Sequence, residues 1–161
     1  MYLIGDIGNS EIKVCLVNSK NTIIKKINFS SNTITFKTIK KNFKKLNIDF
    51  NNIEKILFCS VVPKSLNLIK KYLKTKTKIR CFEVKELALS SLLKIKVNYK
   101  QVGSDRITNA ISLIDNKRNF IILDLGTATT FDVLLKKNYI GGIIAPGIKI
   151  SLNTLSDRAT L

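Results

Sequence analysis

Residues 2–17 read YLIGDIGNSEIKVCLV, and residues 120–135 read FIILDLGTATTFDVLL. Each stretch has an apolar run, then Asp-x-Gly, then a small polar step carrying Ser or Thr, then a second apolar run. A strand, a tight turn and a returning strand explain this order. We therefore predict two β-hairpins, with turns over residues 6–10 and 124–129.

Both predicted turns carry groups that suit a polyphosphate. Glycine lets a backbone approach a ligand closely, and successive N–H groups in a turn attract anions. Ser10, Thr127 and Thr129 add hydroxyl donors. Asp6 and Asp124 would repel a triphosphate unless a cation lies between them, so they indicate metal ions. One such turn is ordinary hairpin chemistry, but two in matching contexts favour ATP binding.

The composition argues against several classes of protein. The formal charge is +17, yet only four of the 28 basic residues are Arg, the bidentate reader of bases and phosphates, so we expect no nucleic-acid partner. The chain has no histidine, which excludes Ser-His-Asp and Cys-His catalysis. No apolar run approaches the length of a membrane span, so we expect no membrane association. Three cysteines in apolar runs predict reduced core thiols and a cytoplasmic protein.

Hydrophobic periodicity predicts an α/β fold. Strands are expected over residues 2–5, 11–18, 22–29, 56–59, 78–84 and 139–145, besides the second hairpin. Helices are expected over residues 34–47, from Pro63, over residues 86–93 and 107–114, and from residues 146–147 to the end of the chain. Three antiparallel strands followed by helix, strand, helix and strand imply a layered lobe with parallel crossovers.

The repeated hairpin predicts two lobes. We place the first lobe at residues 1–118 and the start of a second, truncated lobe at residues 119–161. By the chain's own symmetry, part of the second lobe is expected to be missing. The apolar face that Ile148, Leu152 and Leu155 form on the last helix is therefore expected to be exposed.

Four motifs together resemble the type III pantothenate kinase family, whose members include proteins called Bvg accessory factor-like. They are D-I-G-N-S at residues 6–10, G-S-D-R at 103–106, D-L-G-T-A at 124–128 and G-G-I-I-A-P-G at 141–147. This family belongs to the superfamily of acetate and sugar kinases, Hsp70 and actin. The resemblance covers the whole chain and implies duplicated actin-like (ribonuclease H-like) lobes, the second incomplete here.

The resemblance implies ATP-dependent phosphorylation of pantothenate to 4′-phosphopantothenate, the first step of coenzyme A biosynthesis. It implies ATP binding by Asp6, Ile7, Gly8, Asn9, Ser10, Glu11, Ile12, Lys13 and Thr127, with Mg²⁺ at Asp6. It implies pantothenate binding by Tyr99, Gly103, Ser104, Asp105 and Arg106, where Tyr99 replaces a tyrosine that the family carries at the place of Lys96. Asp105 would accept the proton, and Asp124 would bind a monovalent cation, K⁺ or NH₄⁺. The active unit implied is a homodimer.

Other interpretations of these residues stay open. Asp105 directly precedes a predicted helix, where Asp is a favoured N-cap. Lys13 is either a phosphate ligand or an exposed strand lysine, and Asp132 is interpreted as a polar edge residue. The competing functions are a non-catalytic nucleotide-binding or regulatory remnant of the family and another small-molecule kinase of the superfamily.

Overall fold

The computed structural model describes residues 1–158 and divides the chain into two units, Met1–Leu87 and Ala88–Leu161. The last three residues of the predicted final helix lie outside the described residues. None of the helices formed by residues 1–158 has the length and apolarity needed to cross a bilayer.

The first unit is built on a five-stranded sheet. Its strands are β1 (Tyr2–Ile7), β2 (Glu11–Val17), β3 (Ile23–Ser30), β4 (Lys55–Ser60) and β5 (Cys81–Glu83), in the order β3-β2-β1-β4-β5. The first three strands pair antiparallel, and β4 and β5 join in parallel. Gly5 lets the sheet accept Phe58 of β4, because a Cβ at Gly5 would lie 2.1 Å from the Phe58 ring. The three antiparallel strands and the parallel crossovers that follow them are as predicted.

Two helices cover this sheet. Helix α1 (Phe36–Leu46) begins with a capping box between Thr35 and Thr38, and it buries Ile39, Phe43 and Leu46. Helix α2 (Pro63–Lys74) has Pro63 in its first turn, where a missing N–H is tolerated. It buries Leu66, Ile69 and Leu73, which are spaced by three and four, together with Tyr72. The resulting core draws on residues from Leu3 to Cys81, all within the first unit.

The predicted helix over residues 86–93 is wrong. This segment forms 3-10 turns at Val84–Glu86 and Leu89–Ser91, separated by extended backbone at Leu87. Leu89, Leu92 and Leu93 are spaced by three and four, but the extended backbone at Leu87 interrupts the segment, and what remains is too short to be a stable helix without tertiary support. Leu89 and Leu93 are buried, whereas Leu92 is exposed.

The second unit holds a four-stranded sheet. Its strands are β6 (Lys94–Ile95), β7 (Asn119–Leu125), β8 (Ala128–Leu135) and β9 (Asn138–Pro146), in the order β6-β9-β8-β7. Helix α3 (Ser104–Ser112) buries Ile107 and Ala110, and α4 (Ile148–Arg158) follows β9. Strand β6 was not among the predicted strands; Lys94 and Ile95 join this sheet because they pair in parallel with Asn138 and Tyr139 of β9.

The first compact unit ends at Leu87, whereas the repeat predicts a lobe boundary at about residue 118. Residues 88–118 supply β6 and α3 to the second unit. The boundary between the two lobes of the predicted duplicated fold, at residues 118 and 119, stays a prediction. The three cysteines are free thiols, as predicted, with Cys59 and Cys81 buried and Cys15 half-buried.

Candidate functional site

The first Asp-x-Gly sequence forms the end of β1 and a three-residue turn. Asp6 is the penultimate residue of β1, and residues 8–10 connect β1 to β2. The Gly8 N–H donates to the Glu11 carbonyl at 3.0 Å, so this N–H closes the turn. Ser31 braces the same turn, since its Oγ donates to the Gly8 carbonyl at 2.6 Å and its N–H donates to the Ser10 carbonyl at 3.0 Å.

Asp6 lies beside two partners from neighbouring strands. It is in register with Lys13 of β2 and with Cys59 of β4. The Lys13 Nζ lies 4.0 Å from Asp6 Oδ2, and the Cys59 Sγ donates to Asp6 Oδ1 at 3.4 Å. The Asp6 side chain is 42% exposed, so its carboxylate remains accessible to a ligand from solvent.

The second Asp-x-Gly sequence has the same placement with a shorter turn. Asp124 is the penultimate residue of β7, and Gly126 and Thr127 alone connect β7 to β8. The Gly126 N–H donates to the Ala128 carbonyl at 3.0 Å. Asp124 is exposed, and its Oδ2 accepts a hydrogen bond from Asn109 Nδ2 at 3.1 Å. Both predicted hairpins are thus confirmed, but each Asp belongs to a strand rather than to the turn.

The Pro146-Gly147 pair packs against this second turn. The Gly147 N–H donates to the Thr127 carbonyl at 3.1 Å, and a Cβ at Gly147 would lie 2.4 Å from the carbonyl oxygens of Gly126 and Thr127. Any side chain here would collide with backbone. Gly147 therefore sets the distance between the start of α4 and the turn.

The G-S-D-R motif forms the start of α3. Gly103 is the N-cap, Ser104 is buried, and Asp105 lies inside the first turn. The N-cap interpretation of Asp105 is therefore wrong by two positions. Its Oδ1 still accepts the Arg106 backbone N–H at 2.8 Å, and a carboxylate in the first turn is favoured by the helix dipole. Tyr99 begins a 3-10 turn, Tyr99–Gln101, which directly precedes this motif.

Asp132 is the residue that sequence reasoning misjudged most. It is fully buried, and its Oδ1 accepts Nε and Nη2 of Arg106 at 2.9 and 2.6 Å as well as the Tyr139 hydroxyl. The polar-edge interpretation is therefore wrong. Alternation along FIILDLGTATTFDVLL gave a possible signal, because Asp132 falls in phase with Thr130 and Leu134 on one face of β8.

Charge in this cluster follows from burial and pairing. Burial disfavours the charged guanidinium of Arg106, but the hydrogen bonds and negative charge of Asp132 outweigh that effect and raise the pKa of Arg106. Burial, followed by the hydrogen bond to Asp132, raises the pKa of the Tyr139 hydroxyl well above its usual range. Arg106 therefore stays protonated and Tyr139 stays a hydrogen-bond donor at neutral pH.

No group of three or more Cys, Asp or Glu side chains that could hold a metal ion occurs among residues 1–158. The carboxylates of Asp6 and Asp124 are single and accessible. That arrangement suits Mg²⁺, which keeps several waters and takes one or two carboxylates along with substrate phosphates. A monovalent cation likewise favours oxygen ligands, and the Asp124 carboxylate supplies ligand atoms of that type.

The family model for type III pantothenate kinase matches residues 2–161. The chain belongs to the type III pantothenate kinase family. A type III pantothenate kinase of Pelagibacter ubique is 58% identical over 160 residues, which cover 99% of this chain and 64% of the relative. The type III pantothenate kinase 2 of Francisella tularensis subsp. holarctica is 32% identical over 174 residues, covering 99% of this chain and 66% of the relative. The chain thus spans about two thirds of the length of these curated relatives.

Solved structures show the same fold at low sequence identity. A Campylobacter jejuni protein described as a Baf family transcriptional activator has a TM-score of 0.55 and 21% identity, covering 96% of this chain and 59% of its own. A Sinorhizobium meliloti protein described as a 2-dehydro-3-deoxygalactonokinase has a TM-score of 0.53 and 9% identity, covering all of this chain and 58% of its own. These likenesses confirm the α/β class and a fold shared with sugar kinases.

The residues to which the type III pantothenate kinase family resemblance assigns roles lie in both units of this chain. In the first unit, Asp6 and Lys13 lie opposite each other beside the Gly8–Ser10 turn. In the second unit, α3 carries both Asp105 in its first turn and Asn109, which contacts Asp124. Their roles toward ATP, pantothenate and cations stay predictions.

Proposed function

We propose that the protein containing this chain phosphorylates pantothenate with ATP to give 4′-phosphopantothenate, the first step towards coenzyme A. The observation that carries this proposal is 58% identity to a curated type III pantothenate kinase over 99% of the chain. The chain itself belongs to the family. The relatives that carry the activity are about one and a half times as long as this chain, so the activity is proposed.

Asp105 is proposed as the general base. Its carboxylate is half-buried in the first turn of α3 and is oriented by the Arg106 N–H at 2.8 Å. A carboxylate held in this way can accept the proton of the attacking primary hydroxyl of pantothenate. Phosphoryl transfer otherwise depends on positioning and charge, so one base in a chain without histidine suffices.

The nucleotide side is proposed to use the segment Asp6–Lys13 and Thr127. Asp6 would hold Mg²⁺ directly or through water, and Lys13 adds a positive charge on the same face of the sheet. Bound magnesium supplies charge neutralisation on the phosphate oxygens. Asp124 is proposed to bind K⁺ or NH₄⁺, and Tyr99, Gly103, Ser104 and Arg106 to form the pantothenate side.

The experiment measures ADP release and 4′-phosphopantothenate formation by the purified natural gene product, and compares three single substitutions. Asp105→Asn should lower kcat by about 10²- to 10⁴-fold and leave ATP binding intact, because the base acts on the acceptor. Asp6→Asn should raise the Mg²⁺ concentration needed for half-maximal rate. Asp124→Asn should blunt activation by potassium.

Asp115→Asn serves as the matched control. It removes one carboxylate that pairs with Arg118 at 3.0 Å and is not among the residues proposed to bind ATP, pantothenate or cations, so it should leave all three readouts unchanged. Near-normal turnover by Asp105→Asn would exclude Asp105 as the general base and leave it only the role of stabilising the start of α3. A wild-type protein that did not phosphorylate pantothenate would overturn the proposed function itself.

We also propose that the whole protein is a cytoplasmic homodimer, as the family resemblance implies. The free thiols of Cys15, Cys59 and Cys81 are in keeping with a reducing compartment. Light scattering that gave the mass of a single chain for the natural gene product would exclude the dimer.

A further inference from the structure

A buried ion pair lies directly beneath the start of α3. Asp132 is 0% exposed and the Arg106 side chain 11% exposed, and two guanidinium nitrogens of Arg106 donate to one oxygen, Asp132 Oδ1. The hydroxyl of the fully buried Tyr139 donates to the same oxygen. Moving two charges out of water costs about as much as their attraction returns, so such a pair contributes little net stability. Stability is therefore a weak explanation for it.

The neighbouring strand leaves space for this pair. Gly142 of β9 is in register with Asp132 of β8. A Cβ at Gly142 would lie 2.7 Å from Arg106 Nη2 and 2.8 Å from Asp132 Oδ1, besides 1.9 Å from the Phe131 carbonyl oxygen. The guanidinium thus reaches Asp132 across a position where no side chain fits.

The pair is connected to the proposed base. Arg106 follows Asp105 in the chain, and its backbone N–H donates to Asp105 Oδ1 at 2.8 Å. Nε and Nη2 of Arg106 face Asp132. A guanidinium carries five N–H donors in a rigid fork, so its orientation toward Asp132 also determines where its remaining donors point.

We infer that Asp132 is a positioning residue for the pantothenate side of the site. It holds the Arg106 guanidinium in one orientation, in which the Nη1 side meets the carboxylate of the substrate and the first turn of α3 presents Asp105. This inference rests on the proposed function. It adds Asp132, with Tyr139 and Gly142 as its supports, to the residues that determine acceptor binding.

The test compares Asp132→Asn with wild type in the natural gene product. Asparagine keeps the shape and removes the charge, so Arg106 loses its strong restraint. The KM for pantothenate should rise by about 10- to 100-fold, in line with the loss of charge-assisted hydrogen bonds, while the KM for ATP stays within about twofold. The double variant of Asp132→Asn with Arg106→Lys should be no worse than Arg106→Lys alone, because both changes remove the same oriented guanidinium.

Asp115→Asn is the matched control, because it removes the carboxylate of an Asp–Arg pair that does not include Arg106, and it should change neither KM. Tyr139→Phe keeps the ion pair and removes one donor to Asp132, so it should raise the KM for pantothenate by a smaller factor, about two- to fivefold. This variant decides the question if Asp132→Asn does not fold.

Two outcomes would overturn the inference. One is an unchanged KM for pantothenate in Asp132→Asn, or in Tyr139→Phe where that variant decides. The other is a fall in kcat together with a rise in both KM values and a lowered melting temperature, which would make Asp132 merely structural. The wild type is assayed first, so failure of the proposed function is recognised separately by its lack of activity on pantothenate.

Discussion

Single residues in the second unit have roles that their type alone does not indicate. Asp132 lies in a strand of mostly apolar residues, yet it is buried and holds Arg106 and Tyr139. Gly142 and Gly147 are adjacent to backbone or side-chain atoms that leave no room for a Cβ. Of the described glycines, only Gly141 has a positive φ, at 121°. Close approach, rather than left-handed backbone, therefore explains Gly142 and Gly147.

Gly142→Ala should lower the stability of the second unit. The new methyl would overlap the Phe131 carbonyl oxygen and the Arg106–Asp132 pair, so β9 must shift away from β8. We expect a loss of about 1–3 kcal/mol in the free energy of unfolding, typical of overpacking, measured by denaturant titration.

Gly126→Ala is the control for this prediction. A Cβ at Gly126 would meet its nearest atom, the Ala128 carbonyl oxygen, at 3.5 Å, which is an ordinary contact. Its free energy of unfolding should change by less than about 0.5 kcal/mol, as for a substitution without steric conflict. Equal losses in the two variants would show that the packing at Gly142 is not tight.

At the scale of elements, helix α4 differs from the other three helices. It buries none of its described residues, and Ile148, Leu152 and Leu155 are 59%, 60% and 61% exposed, as predicted from the sequence. On the sheet of the same unit, Ile121 and Ile143 are also exposed. Large exposed apolar side chains such as these promote association between molecules.

We therefore predict that the 161-residue chain self-associates when purified alone. Replacing Leu152 and Leu155 together by Ser should shift it toward monomer, because the change removes exposed apolar surface without opening a cavity. The measurement is light scattering over a concentration series. Replacing the exposed Lys40 and Lys44 of α1 by Ser is the control and should leave association unchanged. A monomeric wild-type chain at all concentrations would contradict the prediction.

At the scale of the whole molecule, the two units differ in how much core each possesses. The principal cluster of buried apolar residues runs from Leu3 to Cys81 and lies entirely in Met1–Leu87. All the elements that enclose this core, α1, α2 and the five strands, are complete within that unit.

We expect a fragment of residues 1–87 to fold by itself. Chains of this size can bury enough surface to be stable when their core is continuous. The fragment should show a cooperative thermal transition by circular dichroism. Phe58→Ala in the same fragment should abolish that transition, because it removes a fully buried ring at a typical cost of about 3–5 kcal/mol. A wild-type fragment without a cooperative transition would contradict the independence of this core.

The family, the two hairpins and the order of strands and helices were all predicted from the amino-acid sequence. These follow from local signals, namely alternation along a strand, apolar spacing along α1 and α2, and motifs such as residues 6–10 and 103–106. The family resemblance supplied the candidate site residues, whose individual roles remain to be tested. The segment over residues 86–93 was misjudged because a short apolar run does not distinguish a helix from 3-10 turns.

The surroundings of these residues depend on contacts between segments that are far apart in the sequence. Arg106 and Asp132 are 26 positions apart, and their contact exists because α3 lies on β8 beside the opening at Gly142. Likewise, Gly147 reaches the Thr127 carbonyl only once β8 and β9 have paired. Periodicity reports which face of an element is apolar, whereas burial of a charge depends on which partner the fold brings to it.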